Sequence, residues 1–220
     1  MKKGIVIGSN HYAQMVRYYI ENENTVNVSI LAYSIEKKYI TRNVAEDGLP
    51  ILPLEEFLSD TTNYDFYLAI GYSKMNTIRK NIYNTITNAG GNVQGYCHPS
   101  ARISPLSKMG KGNIIFENVI IQPYVNIGNC NILQASSSIL HHTILGNFNF
   151  ICGGAIVNGA VTIGNCNFIG SNSTIRNRIT LESNVLVGAN AYVDHSLESG
   201  RVIVPNRSII LDKKSDDINI

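Results

Sequence analysis

Large aliphatic residues recur at every sixth position from Ile103 to Val193. They are Ile103, Met109, Ile115, Ile121, Ile127, Leu133, Ile139, Leu145, Ile151, Val157, Ile163, Ile169, Ile175, Leu181, Val187 and Val193, with no slip of register. Two residues before each stands mostly a small or β-branched side chain, as at Ala101, Ser107, Val119, Val125, Ser137, Thr143, Ala155, Val161, Ser173, Val185 and Ala191. Gly110, Gly128, Gly146 and Gly164 add a spacing of eighteen. A period of six nested in a period of eighteen predicts a triangular solenoid, with three short strands per coil and one inward aliphatic on each. The chain is 44% hydrophobic, and sixteen consecutive hits at that frequency exclude coincidence.

Ahead of the solenoid the pattern changes to alternating strand and helix. Lys3–Ile7 is a short apolar run entering the turn Gly8-Ser9-Asn10. A helical stretch follows from Tyr12 to about Glu21, with Met15, Val16, Tyr19 and Ile20 on one face. Val26–Tyr33 reads as a second strand, Leu52–Leu58 as a short helix behind Pro53, and Phe66–Ile70 as a third strand. Gly71 opens a helix striped by Met75, Ile78, Ile82 and Ile86 and closed by Gly90-Gly91. Val93–Cys97 makes a fourth strand. This order predicts a small parallel α/β sheet whose ligand crevice lies at the carboxyl ends of the strands, near Gly8, Tyr33 and Gly71. The Gly8 turn holds one glycine where a dinucleotide fingerprint has three. Both a phosphate-bearing ligand and a plain strand-to-helix turn fit it.

His98-Pro99-Ser100 marks the join, dividing the chain into an α/β domain over 1–97 and a solenoid over 98–220. Asn126, Asn129, Asn147, Asn165 and Asn184 crowd the solenoid corners, where asparagine tolerates left-handed backbone and bonds its own turn. The polar tail from Asp212 is expected to fray.

Lys plus Arg number 18 against 16 Asp plus Glu, so no basic excess points to a nucleic-acid partner. No apolar run reaches the ~18 residues of a membrane span, and the start MKKGIVIG lacks a signal-peptide core, which predicts a cytoplasmic protein with no membrane partner. Cys130 and Cys166 share a face two coils apart, roughly 9–10 Å at ordinary strand spacing. That exceeds the ~7 Å limit for a disulfide. With no Cys-x-x-Cys, the four cysteines read as packing thiols.

Reactive groups concentrate at His141-His142. One coil adds eighteen residues, so Gly159 lies directly above His141. A glycine there can present its N–H with no side chain in the way, pairing a base with an oxyanion donor as acyl transfer requires. Two solvated corner histidines are the plainer alternative. Zinc is a third reading, but adjacent residues on a strand diverge, and His195, in the same column, is three coils away at ~14 Å. No metal is expected.

An α/β domain opening with Gly8, His11-Tyr12-Ala13, joined through His98-Pro99-Ser100-Ala101 to a six-residue-repeat solenoid, resembles the hexapeptide sugar-nucleotide N-acetyltransferases of the bacillosamine, perosamine and viosamine type. The resemblance spans nearly the whole chain and is most specific over SILHHTILGNF (Ser138–Phe148) and Ile169–Val193. It implies a Rossmann-like α/β domain, a left-handed parallel β-helix, a homotrimer, and acetyl-CoA lying between adjacent solenoids. It also implies transfer of acetyl to the 4-amino group of a dTDP- or UDP-linked 4-amino-4,6-dideoxy sugar, a step of polysaccharide biosynthesis. Family members usually carry Asp-His-Asp or Asp-His-Glu where this chain has Leu140-His141-His142. His141 therefore takes the place of the base and His142 that of a carboxylate, and Phe150 stands where a second histidine is common.

Gly159 matches the glycine assigned to the oxyanion, and Gly188 and Ala189 fall where the cofactor's pantetheine groove is lined. Gly8, Ser9, Asn10, Tyr33, Ser34 and Gly71 would contact the sugar nucleotide, with Asn76 and Arg79 at its hexose or phosphates. Arg176, Arg178, Arg201 and Arg207 are candidates for CoA phosphates. Phe116, Tyr124, Phe148 and Phe168 lie outside the inward period and are expected to supply the subunit interface. Two other classes fit the same pattern: a non-catalytic sugar-nucleotide-binding scaffold, and a metal-dependent hydratase on this solenoid.

Overall fold

The computed structural model describes residues 3–23, 28–208 and 212 of the 220-residue chain. The α/β half runs β1 (Lys3–Ile7), α1 (His11–Asn22), β2 (Ile30–Ile35), β3 (Ile51–Pro53), α2 (Leu54–Leu58), β4 (Tyr64–Leu68), α3 (Thr77–Asn88) and β5 (Asn92–Gln94). Its strands form one parallel sheet in the order β3-β2-β1-β4-β5. Ile5, Val6 and Ile7 of the central strand are buried on both faces, which is why β1 reads as a continuous apolar run rather than an alternation. Asn10 caps α1 by accepting from the Ala13 N–H at 3.1 Å, and Ala13, Val16 and Ile20 bury one stripe.

Several boundaries differ from expectation. Strand β2 ends at Ile35 rather than Tyr33, and the first two residues of the predicted strand, 26 and 27, lie outside the described residues. The predicted helix 52–58 begins as β3, because proline is tolerated on an edge strand and cannot donate inside a helix. Gly71 does not open α3. Lys74, Met75 and Asn76 all take positive φ first, and the helix starts at Thr77. Its C-terminus closes as expected, with Gly90 at φ +80° and the Gly91 N–H bonded to Ile86 O at 2.9 Å. The predicted strand 93–97 is two strands. β5 completes the α/β sheet, whereas Tyr96–Cys97 pairs with Ile114–Ile115 of the solenoid. The chain crosses at Gly95, where an added Cβ would sit 2.6 Å from Asn113 O. The tail predicted to fray lies almost wholly outside the described residues.

The solenoid consists of three stacks of two-residue parallel strands, each strand pairing with the one eighteen residues on, as Ile120 with Ser138 and Ser138 with Ile156. The sixth-position aliphatics from Ile115 to Val193 form a continuous buried core. Ile103 is only partly buried and Met109 is exposed, because no coil closes the core beneath them. Every sixth residue from Gly112 to Asn190 has φ between about 50° and 70°, so each corner is turned by one left-handed residue, His142 among them at 59°.

The asparagines work differently from the expectation. Of the five named, only Asn184 is left-handed. Asn129, Asn147 and Asn165 instead accept through Oδ1 from the backbone N–H eighteen residues earlier, at 2.7–2.8 Å. A second, buried column of Asn113, Asn131 and Asn149 accepts from the N–H of the residue eighteen later, while its Nδ2 groups donate to Gly110, Gly146 and Gly164 carbonyls. The glycine column follows from this: a Cβ on Gly128 would meet Asn147 Oδ1 at 2.5 Å and Gly146 O at 2.7 Å.

One solenoid face is covered by the α/β half. Its outward Ile114, Ile132 and Phe150 pack into a core with Val6, Tyr33 and Tyr67. Phe116 joins that core, Phe148 packs with Phe66 and Ile82, and Phe168 stacks on Phe150 and meets Tyr72. Three of the four aromatics expected at a subunit interface are therefore spent within the chain, and Tyr124 alone of the four is exposed.

Arg79 and Asn76 fasten this junction and do not face a ligand. Arg79 is 1% exposed. Its guanidinium donates to five carbonyls: Ile70 and Gly71 on its own side, and Cys130, Phe148 and Asn149 on the solenoid. Burial draws its pKa down to about 10, so it stays charged at neutral pH, its charge spread over carbonyl dipoles. Asn76 is fully buried and donates to Asn167 O at 3.0 Å. A helical stripe placed Ile82 and Ile86 inward correctly but put Ile78 there too, which is exposed, and gave no sign of the buried Arg79 next to it, because a second domain supplies its acceptors.

Candidate active site

His141 and His142 sit on an exposed corner after the strand Ser138–Ile139. Three contacts fix the corner. Gln122 Oε1, one coil below, accepts from the His141 N–H at 3.0 Å. His141 O accepts from the Ala160 N–H at 2.8 Å. The His142 N–H reaches Pro123 O at 3.3 Å. The coil register puts Gly159 where the eighteen-residue spacing predicts. An added Cβ there would stand 2.4 Å from His141 Cε1, 2.6 Å from Nε2 and 3.0 Å from Nδ1, so glycine is required for the imidazole to lie where it does. The Gly159 carbonyl accepts from the Arg178 N–H, while its own N–H has no acceptor among the described residues.

Above the two histidines opens a groove of about 690 Å³, lined by Leu140, His141, His142, Asn158, Gly159, Ala160, Arg176, Asn177, Arg178 and Tyr192. The neighbours are rings and guanidinium groups, and none of the lining residues is acidic. The His141 and His142 Nδ1 atoms lie 3.2 Å apart, and the Tyr124 ring, one coil below, lies 4.8 Å from that of His142. His195 is outside this groove and holds Asp194 Oδ1 at 2.6 Å. That bond, with burial opposing it weakly, keeps Asp194 below the usual carboxylate range. Burial pushes the thiols of Cys130 and Cys152 up to about 12 and about 11, against the character of a nucleophile.

The other predicted groups distribute unevenly. Gly188 and Ala189 do not line the His141 groove. They lie at the corner following Leu186–Val187, on the far side of a strand stack from His141. Arg176 and Arg178 do line it, while Arg201 lines a separate hollow beside His195.

In the α/β half, a crevice of about 670 Å³ opens at the carboxyl ends of β1 and β2, as expected. Ile7, Gly8, Ile35, Glu36, Lys38, Tyr39, Ile70 and Lys74 line it, with one face of α3. Gly8 has φ +131°, and a Cβ there would meet Ala69 O at 2.6 Å. Ser9 and Asn10 line a neighbouring hollow of about 420 Å³ with His11, Arg42 and Glu46, and Tyr39 borders both. Tyr33 and Ser34 are buried and line neither; Tyr33 donates to Asp47 Oδ2 at 2.6 Å. Gly71 lines neither and offers its carbonyl to Arg79. Lys38, Tyr39, Arg42 and Lys74, missed in the sequence, come from loops with no motif, so only the fold gathers them.

The chain matches no protein-family model and no curated protein sequence. Solved structures do match. The acetyltransferase domain of PglB from Neisseria gonorrhoeae FA1090 is 22% identical and superposes with a TM-score of 0.82, covering 96% of this chain and 100% of that one. That domain has also been solved in complex with acetyl coenzyme A. PerB from Caulobacter crescentus, in complex with CoA and GDP-perosamine, is 20% identical with a TM-score of 0.80, over 93% of this chain and 95% of that one. The chain has their fold. WeeI from Acinetobacter baumannii AYE shares it more loosely, at 16% identity and a TM-score of 0.66 over 96% of this chain and 100% of that one.

Proposed function

We propose that the protein is an acetyl-CoA-dependent N-acetyltransferase acting on the 4-amino group of a nucleotide-linked 4-amino-4,6-dideoxy sugar. The observation that carries the reading is the seat of Gly159 on the His141 imidazole, with an unspent N–H beside it in an open groove. A base and an oxyanion donor one strand spacing apart are what aminolysis of a thioester needs. Its support from outside the chain is the shared fold with proteins solved with acetyl coenzyme A and with CoA and GDP-perosamine.

In this reading the free amine forms a C–N bond to the thioester carbonyl carbon, and His141 takes the proton the nitrogen sheds. The Gly159 N–H donates to the oxygen as charge develops on it. Collapse breaks the C–S bond, and the departing thiolate takes up the proton. The buried, high-pKa cysteines fit direct transfer without an acyl-enzyme.

The crevice of the α/β half is read as the sugar-nucleotide site, at the carboxyl ends of a Rossmann-like sheet. Gly8, Ser9 and Asn10 stay in that proposal, with Lys38, Tyr39 and Lys74 added. We read the solenoid as left-handed and the assembly as a cytoplasmic homotrimer. Ile120, Ile144, Ile156, Tyr124 and Tyr192 are exposed on the two faces the α/β half leaves bare and suit contact with further copies. Gly188 and Ala189, remote from their own His141, would then serve a neighbouring subunit's groove. No helix among the described residues is long and apolar enough to cross a membrane.

The test is release of CoA thiol on mixing the protein with acetyl-CoA and a panel of dTDP-, UDP- and GDP-linked 4-amino-4,6-dideoxy sugars. Turnover of one panel member above the water blank supports the reading. Binding of a sugar nucleotide without thiol release would turn it to the scaffold alternative.

A further inference from the structure

We propose that His142 is a positioning residue. Its Nδ1 accepts a hydrogen bond from the Nδ1–H of His141 and so holds His141 in the tautomer whose Nε2 is free toward Gly159, and Tyr124 keeps the His142 ring in place. The inference rests on the proposed acetyl transfer, which makes His141 the base; the NMR arm reads the tautomer without turnover.

The two Nδ1 atoms are 3.2 Å apart, and a hydrogen bond between neutral imidazoles needs one donor and one acceptor. A neutral imidazole can take a proton only at its bare nitrogen. His141 Nδ1 is engaged by His142, whereas Nε2 lies beside Gly159, 2.6 Å from where a Cβ would be. Nε2 is therefore the nitrogen that serves the groove, Nδ1 carries the hydrogen, and His142 is the acceptor. No carboxylate among the lining residues competes for that hydrogen.

The backbone makes the pairing possible. Successive side chains on a strand diverge, but His142 is the left-handed corner residue at φ 59°, which turns its ring back beside its neighbour, the ring planes 83° apart. Tyr124 occupies the same left-handed position one coil below, and its ring packs on His142 at 4.8 Å. The charged groups facing the pair are Arg176 and Arg178, both on the corner two coils on, between Thr174–Ile175 and Thr180–Leu181. The corner thus supplies by a second imidazole the orienting acceptor that a carboxylate supplies to the histidine of a catalytic triad.

The direct test is ¹⁵N NMR of the native protein with labelled histidine at about pH 8, above the ordinary imidazole pKa of ~6.5. The expected spectrum shows His141 protonated at Nδ1 and bare at Nε2, with His142 bare at Nδ1. A His141 resonance pair with Nε2 protonated overturns the proposal.

The second arm is kinetic. His142→Ala should lower kcat at least roughly 10- to 100-fold, the cost when a metal-bound histidine loses the group that orients it, and leave KM for acetyl-CoA unchanged. His142→Asp should recover most of that loss. It should also move the acid limb of kcat/KM to higher pH, because an adjacent carboxylate favours imidazolium. An aspartate variant no better than alanine overturns the proposal. If no panel sugar is turned over, the proposed function falls, and the NMR result decides the tautomer by itself.

Discussion

Replacing Gly159 by alanine separates catalysis from folding at this site. The new Cβ would stand 2.4 Å from His141 Cε1 and 2.6 Å from Nε2, against an ordinary carbon contact of about 3.5 Å. The ring must therefore retreat by about 1 Å. It can do so cheaply, because His141 is an exposed side chain and the obstructing atoms belong to its ring rather than to backbone. Gly159 is not among the positive-φ glycines, so alanine brings no backbone strain. Stability should thus change by no more than about 0.5 kcal/mol, the usual range at exposed positions. For a chain of this length that is about 2 °C in Tm.

The catalytic effect is far larger. A displacement of about 1 Å at a reacting group costs about 10²-fold in rate. The alanine keeps its backbone N–H, so the loss reports the imidazole's position and not removal of the oxyanion donor. Thiol-release kinetics beside thermal unfolding measure both quantities on one preparation. An alanine variant with native melting and turnover within about threefold of native would mean that the imidazole works from a place Gly159 does not define.

His141→Ala should lower kcat by about 10²–10⁴, the usual value of general-base help, with KM for acetyl-CoA unmoved in steady-state assays. Arg79→Ala leaves four carbonyls at the domain junction without a donor, while Asn149 O keeps its bond from the Ile132 N–H. It should cost about 3 kcal/mol or more, since each stranded buried acceptor costs about 1–3 kcal/mol, lowering Tm by about 10 °C or more in a thermal melt. The folded fraction should keep its sugar-nucleotide KM, and a raised KM with unchanged Tm would restore Arg79 as a ligand contact.

Asp47 is partly desolvated, but its bonds from Tyr33, Leu49 and Arg17 outweigh that and hold its carboxyl below the usual range. Its contribution to stability is full above the unfolded aspartate pKa and is lost as pH falls through the lower folded one. Urea midpoints should therefore hold steady down to about pH 4 and fall below it, and the fall should be shallower in Asp47→Asn. Light scattering at micromolar concentration should report three times the chain mass; a monomer would remove the partner from the proposed site.

Periodicity alone determined the solenoid, its coil length and the stacking of Gly159 on His141. A parallel stack repeats its register without slippage, so adding eighteen to a residue number names its neighbour in space. The α/β order was legible for a related reason, since buried parallel strands are apolar runs that glycine and proline punctuate. Boundaries at Pro53, Gly71 and Gly95 were less so, because edge position, left-handed turns and a change of sheet leave no periodic mark.

What the chain pattern missed depends on groups far apart in sequence meeting across the junction. Arg79 carries the residue type of a phosphate ligand, and only the five carbonyls from two domains reveal it as a fastener. Phe116 and Phe148 are outward aromatics by period, and only the docked α/β half covers them. Likewise the adjacency of His141 and His142 argued that their rings diverge. The left-handed backbone at His142 brings them together instead, and a dihedral angle is set by the closing of the coil rather than by the residue that adopts it.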